Sequence, residues 1–250
     1  MSGFQNLPSL SFLNFPKRAN LTFEQLKKVA REKNLISIIP EEESLIILID
    51  IVGFSNSDSR TQFANIFIFQ HFLRSFLFSK LFAFGEKIRI RNFVSTGDGC
   101  YIVADKCEPE VAVEFLVTMV SGFQGLKDFS DNSLSIRVSA LIGKIIPFMD
   151  LAHHKNFVGE GMNEAERILT CGRKELEERF MAQGHTEEEA HAFSQNSLFL
   201  GESLFSGLEN KSEYCMEKSE NCYDFKAVTD KHGKSRDIKV LQGIHEYNNF

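Results

Sequence analysis

A continuous apolar run that ends in one carboxylate most restricts how this chain can fold. Residues 45–49 are five consecutive aliphatic residues, and Asp50 follows them directly. The length of the run and its β-branched side chains predict a strand that is buried on both faces of a sheet, since a half-exposed strand would alternate apolar and polar residues. The sequence thus predicts a central strand with an acidic side chain at its carboxyl end.

The rest of the chain predicts alternating helices and strands. Apolar residues with a period of two indicate strands, and longer apolar segments behind a capping residue or a proline indicate helices. In chain order we predict a turn at 52–55, a helix capped by Ser57 or Asp58 that ends near 83, strands at 87–95 and 100–104 around a turn at 96–99, a helix at 108–126, a strand at 134–146, a helix from about 161, a helical stretch at 173–195 broken at Gly184, and short strands at 198–204, 223–228 and 237–241.

This order predicts an α+β fold with a ferredoxin-like βαββαβ core and extra C-terminal strands and helices. The first strand of such a core lies beside the third, so we expect Asp50 to lie close to Asp98, which is in the turn before the third strand. We expect one domain over residues 44–250. Residues 1–43 are predicted to be an irregular arm and a short accessory helix.

Composition narrows the classes of partner. The net charge of −6 and the lack of a basic run argue against a nucleic-acid partner. Five cysteines without zinc spacing indicate free thiols in a reducing compartment. The most apolar stretch, 67–84, is interrupted by Gln70, His71, Arg74 and Lys80, and it predicts a buried helix and no membrane insertion. With no visible signal peptide, we expect a cytoplasmic protein.

Two carboxylates on neighbouring strand ends predict a site for a hard cation. Mg²⁺ and Mn²⁺ prefer oxygen ligands, and they usually keep waters and substrate phosphates in their coordination shell. The turn after Asp50, formed by Val52, Gly53 and Phe54, would present backbone N–H groups to a phosphate at a helix start. Asp50, Asp98 and this turn together suit phosphoryl-transfer chemistry.

Three segments resemble motifs of the catalytic domains of class III nucleotidyl cyclases, the adenylate and guanylate cyclases. Residues 49–55 (IDIVGFS) resemble the first metal motif, and residues 95–99 (STGDG) resemble the second. Residues 159–167 (GEGMNEAER) resemble the segment in which an Asn is followed four residues later by an Arg. The segments occur in the family's order at comparable spacing, and the resemblance covers about residues 44–241.

The resemblance implies a reaction in which a nucleoside triphosphate becomes a 3′,5′-cyclic nucleotide and pyrophosphate. Asp50, Asp98 and the carbonyl group of Ile51 would hold two Mg²⁺ or Mn²⁺ ions. Asn163 would orient the ribose, and Arg167 would stabilise charge on the α-phosphoryl group. In the family the site lies across a head-to-tail homodimer, in which one protomer gives the aspartates and its partner gives the Asn and the Arg.

Lys234, in the predicted turn at 230–234, would reach the triphosphate. At the base-reading positions the chain departs from the family. The adenine-reading Lys and Asp are replaced by Val94 and Asn156, and the guanine-reading Glu and Cys are also absent. Asparagine both donates and accepts hydrogen bonds, so Asn156, with Asn92 on the strand face of Val94, is the candidate base reader.

The altered base positions favour UTP or CTP as the substrate. The stand-alone cyclases of this family that make cyclic UMP or cyclic CMP in bacterial anti-phage defence depart from the same pair. Three other functions stay open: an adenylate cyclase with unusual base contacts, an inactive nucleotide-binding module, and an interaction protein that acts through its dimer interface. Asp50 alone would fit a helix cap, and Asp98 alone would fit a hairpin turn. The charged stretch 173–195 would fit a solvated face, a lid or a docking insert.

Overall fold

The predicted apolar strand lies in the middle of a mixed sheet. The computed structural model describes residues 41–85, 87–129, 134–149, 154–206 and 219–244. The strands in these parts of the chain are β1 (Glu42–Ile51), β2 (Ile90–Ser95), β3 (Gly99–Asp105), β4 (Ile136–Met149), β5 (Lys155–Val158), β6 (Ser197–Gly201), β7 (Ser219–Thr229) and β8 (Ser235–Ile244). The helices are α1 (Ser59–Phe84), α2 (Pro109–Phe129), α3 (Glu160–Ala182), α4 (Glu187–Phe193) and α5 (Glu202–Phe205), with a short 3₁₀ helix at Phe54–Asn56.

The order of the strands in the sheet is β2-β3-β1-β4-β6-β8-β7, and β5 pairs with the end of β4. β1 is antiparallel to both β3 and β4, whereas β4 and β6 are parallel. The first six elements, β1-α1-β2-β3-α2-β4, therefore form the predicted ferredoxin-like core, and the α+β fold with extra C-terminal elements is confirmed. β1 lies beside β3, as the argument for the two aspartates required.

β1 is apolar throughout because both faces of the sheet are covered. Its odd-numbered residues, including Ile47 and Ile49, pack in a cluster with residues of α1 and α2. Its even-numbered residues Ile46 and Leu48 pack with Leu141 and residues of α3 on the opposite face. The uninterrupted aliphatic run is thus explained by one helical layer on each side of the sheet.

Helix α1 contributes phenylalanines to the first of these clusters. Asp58 caps the helix by accepting hydrogen bonds from the backbone N–H groups of its first turn. Phe69 and Phe76 are buried against aromatic rings of α2, and Phe69 stacks on Phe123 with the ring centroids 5.7 Å apart. Phe63, Phe67 and Phe78 remain exposed. No helix within the described parts is long and apolar enough to cross a membrane.

Two glycines allow α3 to approach the sheet closely. A Cβ atom at Gly161 would lie 2.4 Å from Cδ1 of Ile46, and one at Gly143 would lie 2.9 Å from Cα of Gly161. Larger residues at either position would push the start of α3 away from β4. The contact sets the position of the segment in which Asn163 and Arg167 lie.

Several boundaries differ from the sequence-based predictions. The helix predicted from 161 continues without interruption to Ala182, and the break at Gly184 precedes the separate helix α4. The segment at 173–195 is more than a solvated face, because Leu176, Phe180 and Ala190 are buried in the core. β5 was not predicted, since four residues that pair with only one strand carry little pattern. Residues 1–40 of the predicted arm lie outside the described residues.

Candidate active site

Asp50 and Asp98 line the same cleft. Asp50 lies opposite Gly99 in the pairing of β1 with β3, and the backbone N–H of Ile51 donates to the carbonyl oxygen of Asp98 at 2.9 Å. The Thr96 hydroxyl donates to Oδ1 of Asp98 at 3.0 Å and holds that carboxylate within the hairpin turn. The predicted proximity of the two aspartates is therefore confirmed, and the tight turn that carries Asp98 is fixed to the end of β1.

The cleft has a volume of about 370 Å³ and is unusually rich in charge. Its polar lining includes Asp50, Asp98, Arg137, Glu166, Thr170 and Arg173. The two arginines come from β4 and from the middle of α3, and the sequence analysis did not select either of them. Arg137 had a visible signal, because it is a charged residue between the apolar residues Ile136 and Val138 of a predicted strand.

Arg137 is the nearest cation to Asp50. Its Nη1 lies 3.7 Å from Oδ2 of Asp50, and its side chain is only 5% exposed. Burial raises the pKa of Asp50 above the usual value of a carboxyl group, and the charge of Asp98 acts in the same direction, whereas Arg137 and Arg173 oppose the shift. The carboxyl group is therefore in an environment in which a bound cation would be strongly favoured.

A second set of polar groups fixes the other side of Arg137. Its Nη2 lies 3.1 Å from Nε2 of His191, which is on α4. Nδ1 of His191 lies 3.2 Å from Oε1 of Glu177, and the Ser194 hydroxyl donates to the same oxygen at 3.0 Å. The guanidinium group of Arg137 is thus held between Asp50 and His191, and His191 is in turn held by Glu177 of α3. Part of the charged stretch 173–195 therefore supports the wall of the cleft.

The donor set fits a divalent cation that is only partly coordinated by protein. In the part of the chain that the structure describes, no three His, Cys, Asp or Glu side chains come together. Asp50 and Asp98 lie together at the ends of neighbouring strands, and Glu166 lines the same cleft from α3. A pair of carboxylates suits Mg²⁺ or Mn²⁺ with substrate phosphates and waters as the remaining ligands. Asp50 and Asp98 are the side chains that would hold the ions, and the role of the Ile51 carbonyl stays a prediction.

The turn predicted to cradle a phosphate is partly occupied by the protein's own hydrogen bonds. The N–H of Val52 donates to the carbonyl oxygen of Ser135 at 2.9 Å, and Asp58 takes the N–H groups at the start of α1. The N–H of Val52 is therefore used within the fold, and a phosphate contact of this turn stays a prediction. Gly53, with a φ of 72°, and Phe54 form the 3₁₀ turn in which a phosphate contact is still predicted.

Arg167 and Lys234 lie beside the β7–β8 turn, and Asn163 lies one helical turn before Arg167 on α3. Lys234 Nζ lies 2.8 Å from Oε1 of Glu160, so the turn between β7 and β8 is held against the start of α3. Asn163 itself is exposed. The structure thus brings these three predicted residues to one region of the surface.

Asp230 organises this second group, and the sequence analysis did not identify it. Its Oδ1 accepts from the N–H groups of His232 and Lys234, and its Oδ2 accepts from Nη2 of Arg236 at 2.9 Å. Although burial opposes the shift, these hydrogen bonds hold the pKa of Asp230 well below its usual range. Nε of Arg167 lies 3.5 Å from the same Oδ2, so Arg167 is oriented by a carboxylate that Arg236 already neutralises.

The two groups do not meet within one chain. Glu166, Thr170 and Arg173 lie on the face of α3 that lines the carboxylate cleft. Arg167 is directed towards the β7–β8 turn, with its Nη1 also 3.4 Å from Glu164. Within the described residues, no hydrogen bond or ion pair joins Asn163, Arg167 or Lys234 to either aspartate.

The predicted base-reading positions lie near the start of α3. Val94 packs in the same cluster as Tyr101 and Met162, and the Tyr101 hydroxyl donates to the carbonyl oxygen of Met162 at 3.3 Å. Asn92 donates its amide hydrogen to the carbonyl oxygen of Lys155, so it joins β2 to β5. This bond makes Asn92 a structural bridge.

Asn156 lies on β5, and its Oδ1 accepts a hydrogen bond from the N–H of Phe157 at 2.8 Å. The residue is half-buried. Its side-chain NH₂ group is therefore the donor that it can offer to a ligand. Asn156 is next to the bridge that Asn92 forms with Lys155, so the two candidate asparagines and Val94 share one region.

A larger cavity of about 700 Å³ lies between α1 and β2, on the far side of the β2–β3 hairpin. Its lining is mainly apolar, and the described residues around it include no carboxylate and no histidine. It therefore lacks ligands for a hard cation. Cys100 is buried beside it, and burial raises the pKa of its thiol to about 12, so the neutral thiol is favoured over the reactive thiolate.

Comparison with known proteins finds similar structures but no match by sequence. No family model matches the chain, and no curated protein matches it. Among solved structures, the guanylate cyclase domain of RhGC from Catenaria anguillulae in complex with GTP is 16% identical, with a TM-score of 0.52 over 83% of this chain and 100% of that one. A bacterial light-regulated adenylyl cyclase is 12% identical, with a TM-score of 0.53 over 95% and 69%.

The guanylyl cyclase Cya2 is similar to the same extent, with 11% identity and a TM-score of 0.51 over 85% of this chain and 98% of that one. These similarities extend over most of this chain, and they include both guanylyl and adenylyl cyclases. At such low identity they establish the architecture and leave the chemistry to the site itself. The chain therefore has the fold of the catalytic domains of adenylyl and guanylyl cyclases.

Proposed function

We propose that this chain is a nucleotidyl cyclase that converts a nucleoside triphosphate to the 3′,5′-cyclic nucleotide and pyrophosphate. The observation that carries the proposal is the division of the predicted residues into two groups. Asp50 and Asp98 line one cleft, whereas Asn163, Arg167 and Lys234 lie around the β7–β8 turn. Each group is half of what phosphoryl transfer needs.

The division favours a homodimer with shared sites. A head-to-tail pair with two-fold symmetry would bring the carboxylate cleft of one protomer opposite the Arg167 group of its partner, and the same contact would form twice. The long ion-pair distances of Arg167, 3.4 and 3.5 Å, suit a guanidinium group that is oriented but still able to bind a phosphate. A dimer would therefore complete two equivalent sites.

In this site the ribose 3′-hydroxyl group would lose its proton to water, its oxygen would attack the α-phosphorus atom, the bond from that phosphorus to the bridging oxygen would break, and pyrophosphate would leave with that oxygen. Asp50 and Asp98 would hold divalent cations, which when bound would lower the pKa of the 3′-hydroxyl group and neutralise phosphate charge. The partner's Asn163 would orient the ribose. The partner's Arg167 donates hydrogen bonds to the α-phosphoryl oxygens, where negative charge develops in the transition state.

For the base we favour a pyrimidine, UTP or CTP. Val94 offers no hydrogen bond, and Asn156 offers its NH₂ group because Phe157 already donates to its oxygen. A donor pairs with a carbonyl oxygen, which uracil, cytosine and guanine carry on their edges, and the Glu and Cys with which guanylate cyclases read guanine are absent. Adenine has no carbonyl oxygen, so it would offer this NH₂ group only ring nitrogens. A role in anti-phage defence, as in the similar pyrimidine cyclases, belongs to the same proposal.

The test is direct. The purified chain is incubated with Mn²⁺ and ATP, GTP, CTP or UTP separately, and the cyclic products are identified by mass. We expect one dominant cyclic pyrimidine nucleotide, no product with Asp50→Asn, and unchanged product with Glu178→Gln, which alters an exposed carboxylate on α3 away from the cleft. Dominant cyclic AMP would support the adenylate cyclase alternative and contradict the pyrimidine assignment.

If a folded, dimeric protein forms no product from any of the four, the cyclase proposal is wrong. A rise in melting temperature with one nucleotide but without product would then favour the nucleotide-binding alternative.

A further inference from the structure

Arg173 is a half-buried cation whose Nε atom is left without a partner among the described residues. It lines the carboxylate cleft together with Glu166 and Thr170, which lie on the same face of α3. Its Nε atom is buried, and within the described residues it has no hydrogen-bond partner. Burying a charged donor without a partner is costly, so such a group normally indicates a missing ligand.

Arg137 presents the same feature on the opposite wall. Its Nε is also buried without a partner among the described residues, although its two terminal nitrogens contact Asp50 and His191. Arg137 and Arg173 line the same cleft, so their positive charges face one another across a small volume. Two guanidinium groups that repel each other across one small cleft would be stabilised by an anion between them.

The carboxylates of the cleft define what kind of anion fits. Asp50 and Asp98 would repel an anion that arrived without a cation. Two divalent ions would over-neutralise them and leave the cleft strongly positive, with both guanidinium groups adding to that charge. The ligand that matches this pattern is a metal-bound polyphosphate, in which adjacent phosphate groups bridge the cations and the arginines.

We propose that Arg173 is a phosphate-binding residue that acts in the same chain as the aspartates and, beside Arg137, holds the terminal phosphates of the substrate and the pyrophosphate that leaves. The identification of pyrophosphate as the product rests on the proposed function. No bond is made or broken by Arg173, which donates hydrogen bonds to phosphate oxygens. The assignment adds a cation from the middle of α3 to the metal-binding half of the site.

Lys174 provides a matched control. It is the next residue on α3, carries the same charge and is exposed, with its Nζ 3.5 Å from Oε1 of Glu178. A variant of Lys174 changes the net charge of the helix by the same amount as a variant of Arg173. Only Arg173 faces the cleft.

The experiment measures binding of inorganic pyrophosphate in the presence of Mn²⁺ by calorimetry, with the full chain and without nucleotide. We expect Arg173→Gln to weaken pyrophosphate binding about tenfold or more, since a charge-assisted hydrogen bond is lost. Lys174→Gln should bind pyrophosphate as the unaltered chain does. Arg173→Met keeps most of the apolar stem and decides the matter if Arg173→Gln fails to fold. Unchanged affinity in a folded Arg173 variant, or no binding by the unaltered chain, would overturn the proposal.

Because this readout needs no turnover, the two proposals fail separately. Binding that depends on Arg173 in a chain that cyclises no nucleotide keeps the phosphate site and rejects the cyclase. Cyclic nucleotide production with unchanged pyrophosphate binding in Arg173→Gln keeps the cyclase and rejects the phosphate site.

Mixing variants then tests whether Arg173 acts in the same chain as Asp50. Arg173→Gln mixed with Arg167→Ala should regain activity, because one site of each mixed dimer has both halves intact. Arg173→Gln mixed with Asp50→Ala should not regain activity, because both changes damage the same half. The reverse pattern would place Arg173 with Arg167 and overturn the assignment.

Discussion

The backbone N–H of Ile51 and the carbonyl oxygen of Asp98 form a hydrogen bond of 2.9 Å, which ties the end of β1 to the β2–β3 turn. Together with the pairing of β1 with β3, this bond sets where the two carboxylates that we propose as metal ligands lie relative to each other. The close approach depends on Gly99, because a Cβ atom at that position would lie 1.9 Å from the carbonyl oxygen of Ile49.

Gly99→Ala should therefore displace the hairpin that carries Asp98. We expect the free energy of unfolding to fall by about 1–3 kcal/mol or more, as in other overpacked sites, and Mn²⁺ binding to be lost. Gly125→Ala is the control, because a Cβ atom there has no neighbour within 4 Å and the residue lies inside α2. It should stabilise the protein by about 0.5–1 kcal/mol. Normal metal binding by Gly99→Ala would contradict the close approach.

The shared site can be tested with two inactive variants. Asp50→Ala removes the metal half and Arg167→Ala removes the partner half, so each alone should be inactive. When subunits exchange at random, about half of the dimers are mixed and each has one intact site, so the mixture should regain about a quarter of the unaltered activity. Mixing Asp50→Ala with Asp98→Ala gives no intact site and should stay inactive. If neither mixture regains activity, the head-to-tail arrangement is wrong.

The raised pKa of Asp50 predicts how metal binding depends on pH. Burial raises this pKa, and only the ionised carboxylate binds a cation. Lowering the pH should therefore weaken Mn²⁺ binding. This loss should begin at a higher pH than it would for a carboxylate in water. Calorimetric titrations at several pH values measure this. An affinity that is constant down to the usual carboxyl pKa would contradict the shift.

The same shift has the opposite sign for the stability of the metal-free chain. The folded state holds the proton of Asp50 more tightly than the unfolded state, so this contribution to stability is present at low pH and is lost as the pH rises through the folded pKa. With a chelator present at neutral pH, the melting temperature of Asp50→Asn should be no lower than that of the unaltered chain. Mn²⁺ should raise the melting temperature of the unaltered chain but not that of Asp50→Asn. A clear loss of stability in the variant would show that the ion pair with Arg137 outweighs burial.

Asp230 should affect turnover without affecting the metal site. It orients Arg167 and closes the β7–β8 turn, so Asp230→Asn should lower the melting temperature by several degrees and kcat about tenfold to a hundredfold, with little change in KM. Mn²⁺ binding should be unchanged because Asp230 is not part of the carboxylate cleft. Glu178→Gln, at an exposed ion pair on α3, should change none of these quantities. A loss of Mn²⁺ affinity in Asp230→Asn would show that the two groups are coupled within one chain.

Much of the core and one half of the candidate site followed from the sequence alone. The aliphatic run of β1 could only be buried on both faces, and the order of the elements then placed Asp50 beside Asp98. These inferences succeed because strand pattern and βαββαβ topology are local or nearly local properties. The motif around Asn163 and Arg167 was also visible, because both residues lie one turn apart on a single helix.

Tertiary structure alone decided which further groups join them. Arg137, Arg173 and Asp230 come from three separate segments of the chain. No spacing in the sequence predicts the contact of Arg137 with Asp50 or that of Asp230 with Arg167. The same is true of Val52 and Asn92, whose N–H groups the fold uses for its own hydrogen bonds. A sequence shows which residues are polar and which segments are apolar enough to be buried. Only packing determines which of those buried charges and donors find a partner within the protein and which are left for a ligand.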